Sequence, residues 1–594
     1  MWKPVIMLLI ALLPQVVKAS GVMQQDSLNR EMVLEKEFVP SAQKVTKTYF
    51  TPLEQKGPKK LTPLSFVRSN YDVALNVQPR LFNPLYESHA PNYAPRNWFL
   101  KLYGGTPARV GVRIGGHLDA TEDSSLDLLI THDTFRGKIG TNKTSVPQQT
   151  RITHDTEASL RYTHQLSDGL LLATANLFYD KYNVYGCVLP QTATPFTPVY
   201  PMYTMAGIHA DLQKARTPLE VVSPWSYEGK LSIDFADKSD PSGKTETPLL
   251  APEPSQQYNI FAPIHAAQLL LNGKANLGYA VSEVWQAGLG ALAQFSVSKA
   301  PYAPSTANAP FVIGVSPYVD MAYETLKGRF GAQIQLLNKG NKSVLIVPDV
   351  NLQWVMAPTA TLTLTLDGGA SVYGLRDTYK QNRYFYAPSL YDAMDIVPIR
   401  ASLGIELGNW YGFSAGVRGG WQQYNRLMDW VTLPLVTQQQ EQTLTTAYYS
   451  LRPRTALQSL FLNLHANVVT PYGFRLGAEA QLRTYSSQVK EEAPAPVLGL
   501  PTYTLKAFAT YTPLSRLVLH ADMEVLGGMQ LQNIQAEVVK LPWCPTLNIG
   551  ANYRVTKQIS ASLTAYNIAN SKATRWLYYD RTGVGVLGSI SFHL

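Results

Sequence analysis

Thr359-Ala-Thr-Leu-Thr-Leu-Thr-Leu-Asp-Gly-Gly-Ala-Ser-Val372 is the stretch that decides the fold. Its even positions read Ala360, Leu362, Leu364, Leu366, Gly368, Ala370 and Val372. Its odd positions read Thr359, Thr361, Thr363, Thr365, Asp367, Gly369 and Ser371. Successive side chains of a strand point to opposite faces, so this is a strand with one apolar and one polar face. A helix, with its period of 3.6, would mix the two sets.

The pattern recurs along the chain. Leu326, Gly328, Phe330, Ala332, Ile334 and Leu336 alternate with Lys327, Arg329, Gly331, Gln333 and Gln335. Leu231, Ile233 and Phe235 alternate with Lys230, Ser232 and Asp234. Leu476, Ala478, Ala480 and Leu482 oppose Arg475, Glu479, Gln481 and Arg483. Such segments are longer than the five or six residues usual for soluble strands, and about nine to eleven tilted residues cross a bilayer. Trp98, Tyr103, Trp410, Tyr411, Trp421, Tyr424, Trp576, Tyr578 and Tyr579 fall near strand ends, at the level Trp and Tyr favour in a membrane.

Composition agrees. Charged residues are 16% of the 594, against roughly 25% in globular proteins, and Tyr is abundant at 34. Mean hydropathy is only -0.10, and no apolar run approaches the length of a membrane helix. A bundle of membrane helices is excluded, and 45% hydrophobic residues argue against wholesale disorder. The expected fold is all-β: a transmembrane antiparallel barrel of roughly 20 to 22 strands over 96–594, apolar faces to lipid and charged faces to a wet lumen. The final strand, with Val584, Val586, Ile590, Phe592 and Leu594 on one face, is expected to pair with the first and leave no edge in lipid.

Lys3, the apolar run Val5 to Leu13 and Val17-Lys18-Ala19 read as a signal peptide over 1–19. Residues 20–95 carry Pro40, Pro52, Pro58, Pro63, Pro79, Pro84, Pro91 and Pro95, which suits an irregular periplasmic or lumenal arm. The net charge of +9 falls to +7 without the leader's two lysines. The basic residues are scattered, so nucleic acid is not an expected partner. Outer-membrane lipid is, and periplasmic or surface proteins are left open. Cys187 and Cys544 are the two cysteines, and spacing does not decide whether they pair.

Tyr553 to Leu594, with Ala565-Tyr-Asn-Ile-Ala-Asn570 and Gly585-Val-Leu-Gly-Ser-Ile-Ser-Phe592, resembles the C-terminal strands of TonB-dependent-receptor-like outer-membrane barrels. Asn97-Trp-Phe-Leu-Lys-Leu-Tyr-Gly-Gly-Thr-Pro107 resembles the first strand of a plugless subgroup of these Gram-negative barrels, and Asn29 to Pro40 its lead-in. The resemblance implies an outer-membrane location and a channel or receptor-like role, and it transfers no functional residue. Such barrels typically end in an aromatic residue, whereas this chain ends in Leu594.

Catalytic, cofactor and metal sets are not expected. Gly412-Phe-Ser-Ala-Gly416 fits G-x-S-x-G, but Phe413, Ala415 and Val417 carry a strand's alternation through Ser414, where that motif needs a strand-to-helix elbow. Thr131-His-Asp-Thr134 recurs as Thr153-His-Asp-Thr156, yet adjacent strand residues face opposite ways. Zinc-type spacings are absent. The informative polar residues are the expected lumen-lining charges: Glu157, Arg161, Glu228, Lys230, Lys327, Arg329, Asp367, Arg400, Glu406, Arg418, Arg475, Glu479, Arg483, Asp522 and Glu524, with Asp234, Lys274 and His520. Such charges set pore selectivity or cross-link the wall. Two roles follow: a channel or receptor-like barrel for polar solutes, or a non-transport scaffold in an assembly, export or surface-protein complex.

Overall fold

The computed structural model describes residues 98–594, apart from 122, 140–148, 167–168, 189–199, 215–223, 240–265, 300–308, 340–342, 411, 440–441, 471, 488–495 and 574. The expected signal peptide and arm lie outside the described residues. The barrel is a 22-stranded antiparallel sheet running from Trp98–Thr106 to Gly585–His593. It closes on itself, with Phe99 opposite His593 and Thr106 opposite Val586. Closure satisfies the backbone of both terminal strands, which lipid cannot do.

Alternation assigns the two surfaces. Val110, Ile208, Leu289, Leu403, Leu460 and Leu563 are all exposed large hydrophobic residues in strands. Their neighbours in sequence carry the polar set. An outer wall this apolar is a surface for acyl chains.

Strand direction sorts the connections into two ends. One end holds the turns 323–325, 358–359, 515–516 and 555–558, together with both termini of the barrel. The other holds the connections 373–393, 425–456, 528–543 and 567–584. Leu326–Leu337 ends and Val344–Ala357 begins at this loop end. In outer-membrane barrels the longer loops face outside.

Several segments read from sequence as linkers are structured. Cys187 to Val221, rich in Pro, Thr and Tyr, reads as a loop, yet Met202–Lys214 within it is a barrel strand. Leu427–Gln439 and Gln442–Arg454 form a hairpin outside the barrel sheet, joined by the short strand Cys187–Val188. The stretch after Val372 forms a helix, Leu375–Gln381, and a 3-10 turn, Ala387–Asp392.

The deciding strand holds the clearest correction. The sequence places Ala370 and Val372 on the same outward face as Leu362 to Leu366. In the structure they are 1% and 8% exposed and pack with Val312, Leu337, Leu345, Val347, Met394 and Ile396. The register against Met394–Trp410 shifts between Asp367 and Gly369, so Pro398 and Ile399 face Gly368 alone. Pairing with Val344–Ala357 begins only at Val350 opposite Leu366. Gly369 has φ +141, open to glycine and hostile to a Cβ. Beyond this bulge the hairpin leaves the wall and bends into the lumen, carrying its apolar face onto the inner wall.

Candidate functional site

The bent hairpin leads into a lid at the loop end of the lumen, and inward-facing wall residues hold it. Asp180, at the loop end of Leu170–Tyr182, is fully buried. It accepts a hydrogen bond from the Tyr379 hydroxyl and lies 3.3 Å from the Arg383 guanidinium. Lys238, 1% exposed, donates to the carbonyls of Phe385 at 2.5 Å and Arg383 at 2.9 Å, and its ammonium sits 4.4 Å from the Phe385 ring centroid. Gln268 donates to Tyr373 O at 3.1 Å and accepts from the Leu375 amide. Three wall strands thus grip one segment through groups of both signs, each with a polar partner. Removing any single partner would leave a buried charge or amide unsatisfied.

Aromatic packing completes the closure. Tyr203 on the wall stacks on Tyr379 of the helix, centroids 3.8 Å apart and planes 5° apart. Tyr384 stacks on Tyr579 at 3.6 Å. Trp430 and Tyr449 of the hairpin meet Trp576 at 5.1 and 4.9 Å. The phenols are also tied down: Tyr182 to Arg383 O at 2.6 Å, Tyr449 to Leu577 O at 2.5 Å, Tyr579 to Ala447 O at 2.6 Å. Aromatic pairs add roughly 0.5–1.5 kcal/mol each beyond their buried area. One contiguous core therefore joins the connections after Tyr182, Val372, Tyr424, Leu526 and Tyr566. In the hairpin, the buried Asp429 takes a two-pronged contact from Arg452 at 3.2 and 3.1 Å.

Under the helix lies a polar cavity of about 180 Å³, lined by His209, Ser232, Asp234, Gln268, Asn272, Arg376 and Asp377 among others. Arg376 Nη1 lies 3.0 Å from His209 Nε2 and 3.5 Å from Asp234 Oδ1.

The expected lumen charges fall on the face opposite the exposed apolar set. Arg400 grips Asp367 across adjacent strands at 2.7 and 2.8 Å. Lys230 lies 3.3 Å from Glu228, which also accepts from Asn276. Arg329 pairs with Asp320 at 2.7 Å, and Glu406 with His465 at 2.9 Å. Asp522 accepts from Asn548 at 2.6 Å. Glu479 stands in register with His465 and Lys506, Glu524 with Lys506, and Arg418 with Asn463. Arg475 and Arg483 share that strand's phase with Glu479. Glu157, Arg161 and Lys327 are exposed. These charges are spread round the wall, and several meet as pairs along or across strands, not as one cluster.

The motifs set aside in the sequence sit where a strand puts them. Ser414 is opposite Asn467 on Phe413–Tyr424, with no elbow. His132 Nδ1 meets Thr156 Oγ1 at 2.8 Å, while Asp133 holds Arg109 on the other face. Cys544 is a buried free thiol donating to Ala573 O, so it is not bonded to Cys187. The lid anchors Asp180, Lys238, Gln268 and Arg383 were not singled out by sequence. The available signal was a charge in the inward phase at the loop end of a strand, facing aromatic-rich connections.

No family model and no curated protein matches the chain. Solved structures do. The chain is similar to the FrpB iron transporter from Neisseria meningitidis, with TM-score 0.60 and 9% identity over 85% of this chain and 82% of that one. It is similar to the siderophore receptor PirA from Acinetobacter baumannii, with TM-score 0.58 and 11% identity over 84% and 80%. It is also similar to the ferric enterobactin receptor from Pseudomonas aeruginosa, with TM-score 0.55 and 12% identity over 84% and 80%. At these identities the likeness is one of fold. A closed 22-stranded barrel with an apolar outer wall belongs in the bacterial outer membrane.

Proposed function

We propose that this protein is an outer-membrane transport barrel for polar solutes, gated at its outer mouth by its own connections. The supporting observation is the segment 373–393, bent into the lumen and held there by Asp180, Lys238 and Gln268. Buried charges paired across an interface between wall and lid give one defined closed position, and losing a partner makes that position costly. On the turn side of the lid the inward face carries paired and exposed charges, a lining suited to hydrophilic solutes. The similar receptors and transporters are named for iron and siderophores. For this chain the solute class stays at polar solutes, because the lining charges form pairs of both signs.

Planar-bilayer conductance tests this reading. The parent barrel should conduct rarely or not at all. A variant with 375–392 replaced by a short Gly-Ser linker should pass steady current of nanosiemens scale. The closed mouth also suits a scaffold role. Silence from both proteins, with co-purifying partners, favours the scaffold and removes the transport reading.

A further inference from the structure

The lipid-facing wall carries a feature that the lumen does not explain. Leu128, Leu160, Ile208, Ile233 and Phe235 rim a groove of about 390 Å³ whose floor is Ala158, Ala175 and Ala206. The register makes it continuous across five neighbouring strands: Leu128 faces Leu160, Leu160 faces Ala175, Leu177 faces Ala206, and Ala206 faces Phe235. Three small residues among large ones cut a channel into a wall of branched side chains. All belong to the outward phase, with Leu177 and Ile208 strongly exposed.

Directly toward the loop end, the same outward phase turns basic. Arg136 and Lys138 are exposed on Ser124–Ile139, His154 on the next strand and Lys181 on the one after. Thr134 pairs with His154, and His154 with Lys181, so three strands present one row. Arg136 stands two residues further up. Ala158 to His154 and Leu177 to Lys181 are each about 13 Å along the strand. Among the described residues no ion pair engages Arg136, Lys138 or His154. Lys181 lies 5.9 Å from the Tyr200 ring centroid. Asp237, two strands on from Lys181, is the acidic group at this level, and Lys299 lies further round. The band below the row, with Leu128, Leu160, Leu177, Ile208 and Phe235, is apolar, so cations gathered above a groove call for an anionic, acyl-bearing occupant.

We infer that this face binds a phosphate-bearing lipid of the outer leaflet, one acyl chain in the alanine-floored groove and its phosphate on Arg136, Lys138, His154 and Lys181. A soluble anion would use the basic row alone. A lipid uses both parts, and the separation matches the step from acyl chain to headgroup.

The test uses the full-length protein in nanodiscs holding equal amounts of a bis-phosphorylated glycolipid and phosphatidylcholine, with lipid retention read by native mass spectrometry. The parent should retain the glycolipid at least about tenfold over phosphatidylcholine. That preference should vanish in the triple variant Arg136→Gln, Lys138→Gln, Lys181→Gln. It should fall at least about threefold in Ala175→Trp, which fills the groove and leaves the cations. Heat-modifiable migration confirms that each variant is folded, and Arg136→Gln alone replaces the triple variant if that one fails to assemble. Equal retention of the two lipids by the parent overturns the inference. So does a triple variant or Ala175→Trp variant that retains the glycolipid as the parent does. Displacement of the glycolipid by millimolar inorganic phosphate also overturns it, by assigning the row to a free anion.

Discussion

Asp180 is one of three wall side chains on which two lid groups converge, and the one that meets a lid cation. Asp180→Ala leaves the Arg383 guanidinium and Tyr379 hydroxyl without that acceptor, and breaking a buried pair costs about 3–5 kcal/mol. The barrel sheet does not need this contact. The expected outcome is a folded barrel with unchanged heat modifiability, but with protease-sensitive bonds in 375–392 and frequent channel openings. Lys238→Met should act in the same direction, since the carbonyls of Arg383 and Phe385 both lose their donor. Equal proteolysis of parent and variants would count against the anchoring role.

Asp429, fully buried, gives the lid a pH dependence. Burial raises its carboxyl above its ordinary 3.8, against the opposing pull of Arg452. The docked state therefore holds more protons than the released one, and its stability falls as pH rises. That loss begins above pH 3.8 and is complete above the raised pKa. Cleavage of the lid by an acid-tolerant protease, corrected for the enzyme's own pH profile, should slow on acidification from pH 7 toward 4. Asp429→Asn should weaken this dependence.

At the scale of elements, alternation located the strands but not their surroundings. Period two separates two faces; it does not say what covers each. Leu362, Leu364 and Leu366 face outward as read, whereas Ala370 and Val372, equally apolar and in phase, pack inside. The two glycines and the opposing Pro398, which has no amide to donate, permit the bend. Met202–Lys214 escaped notice for the converse reason. Its inward Tyr203 and Met205 pack on the lid, so both faces are apolar near the loop end and the alternation fades. The hairpin Leu427–Arg454 was hidden in the same way, with Trp430, Tyr448 and Tyr449 buried.

The bulge is testable. Gly369→Val places a β-branched residue at φ +141, a backbone region costing about 1–3 kcal/mol for such residues. The variant should assemble as a barrel but lose protection of the lid from protease. On the wall, Leu403→Arg should cost about 2–4 kcal/mol if it sits at the bilayer midplane, read as a lower folded fraction in urea titration. Ser402→Arg, one residue away on the lumen face, should cost less.

For the whole molecule, the sequence carried the barrel, its closure and its approximate strand number, because those follow from repeated local patterns. The lid was not legible. It is assembled from connections separated by up to about four hundred residues, such as Tyr185 bonding Asp580 O, and no local period encodes such meetings. Lumen charges were legible as a phase but not as partners. Arg400 and Asp367 meet because two strands happen to stand in that register.

Nitroxide scanning of single cysteines from Thr361 to Val372, in lipid bilayers, tests the central claim most directly. Accessibility to oxygen reports lipid, and accessibility to a water-soluble nickel chelate reports the lumen. The account predicts high oxygen accessibility at 362, 364 and 366, chelate accessibility at 361 and 363, and low values of both at 370 and 372. Oxygen accessibility continuing in phase through 370 and 372 would contradict the inward lid, and chelate accessibility at 362, 364 and 366 would contradict the membrane barrel itself.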